Sequence, residues 1–420
     1  MNNKQIVKFI QRGIRQESKI NKRRVLGRPW SETPPLATKV YGLIRKYNYN
    51  NIMMHLSGYP LGNKQQAPVI TADYSGTFNF SRYIEKLLMV NTAKFLNLKF
   101  RLLSGYFTAG GTESSIYSLW IARNWSNSQR EEDSIVEWII PDSCHYSIVK
   151  SLNLLGILDN QNHAIQYVAR GENYSIDTPG ITKLLKDKRR KSEAPIVIVF
   201  TIVDTEFGLI DPLGEVVEFI KKNNYKNIFI HVDASFSGMV LPVLSQHQKI
   251  FAHKEISTIA IDFHKTFGAP MGSGMVLVND DYQKFSQIDA SYLDHPDLTL
   301  LGSRSGSNVI ITWALFVRQI QSGIWRKRVE SSTDKTSFLY ERLKLISFVK
   351  VLYPPFINYL VFTLDIQNDK LLQDVKLLLR GYSITSNNYH GENIYKIITT
   401  DYVTKKTLEK FVKELERLSV

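Results

Sequence analysis

A single cysteine, Cys144, stands among 420 residues, which excludes an intrachain disulfide framework and a cysteine metal cluster. Long apolar runs are equally scarce. The run at 194–203 stops after about ten residues, where a membrane-spanning helix needs about twenty. No secretory leader is expected, because Lys4, Lys8, Arg12 and Arg15 break the first apolar stretch. Acidic residues are few beside basic ones: 39 Asp and Glu face 53 Lys and Arg, a formal net charge of +14. Much of the excess lies in 4–28, where Glu17 is the one acid, and in 183–191. No zinc finger, RNP aromatic pattern or basic zipper accompanies either stretch. Both read as solvated surface, and no nucleic-acid partner is expected. What is plentiful is apolar and aromatic: 43% hydrophobic residues, with 21 Phe, 21 Tyr and 6 Trp. That composition excludes disorder and predicts a soluble, cytoplasmic globular protein with a substantial core.

Along the chain, Ile6, Phe9, Ile10 and Ile14 fall at helical spacing before Arg28-Pro29-Trp30 and Thr33-Pro34-Pro35 interrupt. Residues 1–57 read as an N-terminal arm whose apolar stripe suits packing in a dimer. From about Asn79 the pattern becomes strand, turn, helix. A helix is expected over 80–96. Ala109-Gly110-Gly111-Thr112-Glu113 opens a second over 114–125. Short, apolar, β-branched runs at 136–140, 196–203 and 228–232, and a shorter one at 258–261, predict buried strands. Such runs alternating with helices predict a mostly parallel sheet covered on both faces, in a large domain over 58–307. From Asn308 a long helix leads out of it. Residues 308–420 then read as a smaller α+β C-terminal domain, with strands at 357–364 and 394–398 and a charged helix from Lys405.

Ligands of open parallel sheets bind beyond the carboxyl ends of the strands. His145 follows the first run; Asp204 and Thr205 follow the second. Asp233, Ala234 and Ser235 follow the third, and Asp262-Phe263-His264-Lys265 the fourth. Ahead of them the Gly-Gly-Thr turn at a helix N-terminus suits a phosphate, though its spacing is not that of a dinucleotide fingerprint. Singly, each is ordinary: a turn, a hydrogen-bonded histidine, a turn-capping aspartate, a surface lysine. Together they match pyridoxal phosphate, which needs a lysine for its Schiff base, a carboxylate facing its pyridine nitrogen and an anion site.

Over 58–313 these residues resemble the pyridoxal-phosphate-dependent group II amino-acid decarboxylases, with the likeness greatest to the bacterial histidine decarboxylases and plant serine decarboxylases. The strings that carry it are Thr-Ala-Gly-Gly-Thr-Glu-Ser-Ser (108–115), His-Tyr-Ser-Ile-Val-Lys (145–150), His-Val-Asp-Ala-Ser-Phe-Ser-Gly (231–238), His-Lys (264–265) and the loop 292–306. The resemblance implies a fold-type I, aspartate-aminotransferase-like α/β architecture and decarboxylation of an L-amino acid to its amine and carbon dioxide. It implies that Lys265 forms the Schiff base, that Asp233 partners the pyridine nitrogen with Ala234 beneath the ring, and that His145 stacks on it. By the same resemblance Gly111, Thr112 and His264 serve the phosphate, and Thr205 lies near the cofactor's 3′ oxygen. Ser303, in the Gly-Ser-Arg loop, reaches the neighbouring subunit's phosphate, which implies a homodimer with shared sites. Tyr292, or alternatively Tyr282, is the candidate proton donor to the α-carbon; Lys265 and His145 are further options. No metal ligand set is expected. Ser114-Ser115, Thr201 to Thr205 and Ser305-Gly306-Ser307 depart from the family pattern and leave the substrate side chain open. Another enzyme on the same scaffold (an aminotransferase or a carbon–carbon lyase), a non-catalytic protein and a polyanion-binding protein stay open as rival readings.

Overall fold

The computed structural model describes residue 26 and residues 34–46, 53–55, 80–171, 174–189, 193–289, 291 and 296–419. The expected arm helix, most of the 1–57 arm, and Tyr292 lie outside the described residues. The chain divides into two compact units, Thr33–Lys327 and Arg328–Val420, the second taking in the segment Met1–Glu32. The second boundary thus falls twenty residues after the one expected at 307/308.

The larger unit is built on a seven-stranded sheet. Its strands are β2 (Leu103–Thr108), β3 (Val136–Pro141), β4 (His163–Val168), β5 (Ile196–Thr201), β6 (Ile228–Asp233), β7 (Thr258–Asp262) and β8 (Gly274–Asn279), in the order β2-β8-β7-β6-β5-β3-β4. β8 is antiparallel to both its neighbours; the other pairings are parallel. β3, β5, β7 and β8 are buried at every position. A strand covered on both faces can be apolar throughout, which is why these runs show no polar alternation.

The helices of this unit are α1 (Pro35–Lys46), α2 (Phe80–Phe95), α3 (Gly111–Gln129), α4 (Tyr146–Leu154), α5 (Thr178–Arg189), α6 (Leu213–Lys222) and α7 (Gly306–Gln321). Between α1 and α2 lies β1 (Met53–His55), which pairs antiparallel with β9 (Ser303–Ser305). α3 crosses the sheet: Tyr117, Ile121, Ala122 and Trp125 pack with Tyr106, Trp138, Val199, Phe229 and Val276. The helix expected to lead out of the large domain from Asn308, α7, instead stays within this unit. It packs on α1 and α2, with Phe316 against Phe95 and Phe267 at ring-centroid distances of 5.8 and 6.2 Å.

The smaller unit begins within α8 (Ile324–Leu343). It carries an antiparallel sheet, order β10-β11-β13-β12, made of Val349–Val351, Tyr359–Leu364, Glu392–Ile398 and Ser386–Tyr389, together with α9 (Asp369–Gly381) and α10 (Lys405–Glu416). Leu26 is fully buried in its core. It is tied there by bonds from its N–H to the Tyr382 carbonyl (2.9 Å) and from the Ile398 N–H to its own carbonyl (2.7 Å).

Candidate active site

Because β8 runs against its neighbours, its first residue, Gly274, lies between the last residues of β2 and β7, Thr108 and Asp262. The chain leaves β2 through Ala109-Gly110 directly into α3. Gly110 has φ +136°, a conformation open to glycine, and gives α3 no side-chain cap. The N–H groups of the first turn therefore keep the anion-binding character of a helix N-terminus. Glu113 braces the turn from behind, accepting bonds from the Ala109 N–H (2.6 Å) and the Tyr106 hydroxyl (2.9 Å).

The turn packs closely on the segments that come after β6 and β7. A β-carbon on Gly111 would stand 2.5 Å from Ser235 Oγ and 3.2 Å from Asp262 Oδ2; one on Gly110 would stand 3.1 Å from His264 Cε1. Asp233, at the end of β6, is buried and accepts bonds at Oδ1 from the Ser235 N–H (3.0 Å) and hydroxyl (2.6 Å). Burial alone would raise its pKa. The charge of Lys265, the two Ser235 bonds and His231 outweigh burial and hold it below its ordinary value. His231, two residues earlier and fully buried beside Thr258 Oγ1 (2.9 Å), is pushed down to about 4 by burial.

Lys265 Nζ lies 3.5 Å from Asp262 Oδ2, and His264 Nε2 lies 3.7 Å from the same oxygen. His264 Nδ1 faces the Ser273 carbonyl at 3.1 Å; a carbonyl can only accept, so Nδ1 carries the proton of that bond. His145 caps α4. Its Nδ1 accepts the Ser147 N–H (3.3 Å), which leaves the ring proton of the neutral form on Nε2. Ser147 Oγ lies 3.3 Å from Ser115 Oγ, and Ser115 donates to the Gly111 carbonyl (2.7 Å). These contacts tie the histidine's helix to the glycine turn.

So Gly111, Thr112, Asp233, Ala234, His264 and Lys265 share one end of the sheet, with His145 linked to them through the serines. Other expected residues are placed differently. Thr205 is exposed, in the turn after β5. Asp204, beside it, is no free carboxylate. It is fully buried, ion-paired to Arg170 (3.0 Å) and bonded by the N–H groups of Glu206, Phe207 and Leu209. Ser303 is exposed on β9, while the next residue, Arg304, turns inward to a buried ion pair with Glu85 and a bond to the Phe107 carbonyl (3.1 Å). Tyr282 packs on Phe229 (4.9 Å) and Trp125 (5.9 Å) and bonds Ser257. Those contacts put it at the amino ends of β6 and β7, the wrong end of the sheet for a proton donor. Sequence reading missed Gly274 and gave Ser235 and Asp262 no role. An aspartate followed two residues later by serine was the available signal for Ser235.

Residues 80–315 match the model of the pyridoxal-dependent decarboxylase conserved domain. The chain belongs to that family. Membership makes it a carboxy-lyase of amino acids with pyridoxal phosphate as cofactor. It is 26% identical to a tryptophan decarboxylase of Clostridium sporogenes over 82% of this chain and 80% of that one. It is 27% identical to a histidine decarboxylase of Morganella morganii over 62% and 65%. The fold matches that of an L-methionine decarboxylase from Streptomyces sp. 590, with a TM-score of 0.78 at 16% identity over 99% and 96% of the two chains.

The residues present fit the family's cofactor. Gly110, Gly111 and Gly274 let the turn pack directly on the segments after β6 and β7 with no side chain between, and the uncapped first-turn N–H groups are the donors a phosphate needs. Asp233 is held ionised, as a partner for a protonated ring nitrogen must be. Lys265 is partly exposed, with its amine at the same sheet end.

Proposed function

We propose that this site decarboxylates a free L-amino acid of the histidine or serine type, releasing the amine and carbon dioxide. The observation that carries the reading is the convergence of Asp233, Lys265 and the uncapped glycine turn at one end of the sheet, with His145 tied to that turn. The side-chain class rests on the likeness of the 292–306 loop. When bound, the cofactor's ring supplies the sink for the electron pair left by the departing carboxylate. Lys265, whose amine lies at this end of the sheet, would be the residue that anchors it. Asp233, kept anionic by Lys265 and Ser235, holds a proton on the ring nitrogen. His145, locked by Ser147 with its proton on Nε2, offers that N–H toward the ring face or the substrate carboxylate. Gly111, Thr112 and His264 would hold the phosphate and Ala234 would lie beneath the ring; Thr205, in the exposed turn after β5, is assigned to the 3′ oxygen by the family likeness alone. Tyr292, Lys265 or His145 returns the proton to the α-carbon.

The homodimer, with Ser303 reaching the neighbour's phosphate and the arm of 1–57 packed on it, belongs to the same reading, as does a cytoplasmic location. The family likeness supports both. The test is the visible absorption of the purified protein with added cofactor, compared with Lys265→Ala. A band present in the wild type and lost in the variant is expected, along with carbon dioxide release from a histidine-type or serine-type substrate in an amino-acid panel. No band in the wild type would overturn the assignment of these residues.

A further inference from the structure

Besides Glu113, whose carboxylate is bonded by the Ala109 N–H and the Tyr106 hydroxyl, Asp262 sets a carboxylate against the glycine turn. Its carboxyl oxygens would meet a β-carbon on Gly274 at 2.8 Å, on Gly111 at 3.2 Å and on Gly110 at 3.6 Å. The side chain is almost wholly buried, and Oδ1 has no hydrogen-bond partner. A phosphate monoester over that turn would bring two negative charges within a few ångströms of a buried third. Such proximity is strongly unfavourable at the low effective dielectric of a protein interior.

The groups facing Asp262 can be named from every packed element. Lys265 and His264 approach Oδ2 from the segment after β7. Asp233 faces it from β6, with Ser235 beside the turn. α3 presents backbone and β8 presents Gly274. Burial raises the Asp262 pKa and Asp233 adds to that; Lys265 and His264 oppose without prevailing.

We propose that Asp262 is a proton-holding residue of the anion cradle: an anion seats over the Gly110–Thr112 turn only when Asp262 is protonated, its O–H then serving as a further donor. The proposal rests on the reading of that turn as the cofactor's phosphate site, and deepens it. It predicts that anion binding takes up one proton.

The probe is sulfate, which has no proton to lose near neutrality, added to the full chain freed of cofactor, with chloride at equal ionic strength as the control. Thermal stabilisation is read from pH 5.5 to 9. In the wild type, sulfate affinity is expected to fall about tenfold per pH unit above the carboxyl's own pKa, the slope of one linked proton. Asp262→Asn should bind sulfate with a flat profile and more tightly at high pH, whereas His264→Gln should keep the slope. A slope that persists in Asp262→Asn and vanishes in His264→Gln assigns the proton to His264 and overturns the proposal. A flat wild-type profile overturns it without reference to any variant, so a misfolded variant cannot rescue it. Sulfate binding with no proton linkage leaves the phosphate-site reading standing. No sulfate binding in any variant at any pH removes that reading and the proposal together.

Discussion

At Gly274 a β-carbon would stand 2.6 Å from Gly110 Cα, 2.7 Å from Thr108 Oγ1 and 2.8 Å from Asp262 Oδ1. One of those neighbours is backbone and the others are short, buried side chains, so nothing can swing aside. Gly274→Ala should therefore cost about 1–3 kcal/mol in chemical unfolding and weaken cofactor retention, read as loss of visible absorbance on dialysis. Gly111→Ala meets first the hydroxyl of Ser235, at 2.5 Å; adding Ser235→Ala should restore part of the stability, keeping the backbone N–H bond to Asp233 and losing the hydroxyl's. A stable, fully loaded Gly274→Ala would contradict the close packing. Cys144 makes the opposite point. Although it adjoins His145, burial first, and then Asp233, Asp211 and other carboxylates, push its thiol up to about 12. At neutral pH almost no thiolate is present. A thiol reagent should label the native protein far more slowly than the denatured one; comparable rates would show the thiol to be reactive.

Among the elements, the strands legible in the sequence have unbroken apolar runs, although β8, whose run at 275–278 is also unbroken, was not among those expected. Runs expected at 136–140, 228–232 and 258–261 appear within a residue of those limits, as β3, β6 and β7. β2 was not legible, because Gly105 interrupts it at φ +124° where the backbone passes Val276 O too closely for any side chain. β4 is a partly exposed edge strand with no apolar run. The run at 196–203 ends early, at Thr201. Ile202 makes only an isolated bridge to Ile210, and Val203 turns to φ +67°, an uncommon conformation for a β-branched residue. What stops β5 there is Asp211, whose Oδ2 accepts the Thr201 N–H (2.6 Å). Asp211 shares Arg170 with Asp204, and the single guanidinium lies nearer Asp204 (3.0 against 3.7 Å). Burial consequently dominates at Asp211 and pushes its carboxyl up to about 7. The folded state then holds a proton that the unfolded chain releases near pH 4. This group's contribution is complete below that pH and is lost as pH rises toward 7, on the order of 2–4 kcal/mol. Asp211→Asn should flatten that part of the stability–pH curve. Arg170→Met leaves two buried carboxyls without a cation and should cost about 3–5 kcal/mol. An unchanged pH curve in Asp211→Asn would place the proton elsewhere.

At the scale of the molecule, the candidate site was legible where chemistry comes at or just after a strand's end: Asp233 closing β6, Lys265 after β7, His145 after β3. It was not legible where proximity depends on register. That Gly274 sits between Thr108 and Asp262 results from β8 inserting antiparallel between β2 and β7, and nothing local announces it. Arg304 likewise reveals its role only through Glu85 and Phe107, far away in sequence. By turning inward it leaves Ser303 and Ser305 facing out on β9, the exposure that the shared-site reading requires of Ser303. That reading has a quantitative test. Let chains carrying Lys265→Ala be mixed randomly with chains carrying Ser303→Asp, each nearly inactive alone. If every site combines Lys265 of one chain with Ser303 of the other, half the dimers are hybrids. Each hybrid has one site with both native residues and one with neither, so about a quarter of wild-type activity should return. If Ser303 serves its own chain's site, no mixture restores activity, because every chain carries a defect in the site it builds. Full activity of Ser303→Asp by itself would remove Ser303 from the phosphate's surroundings altogether.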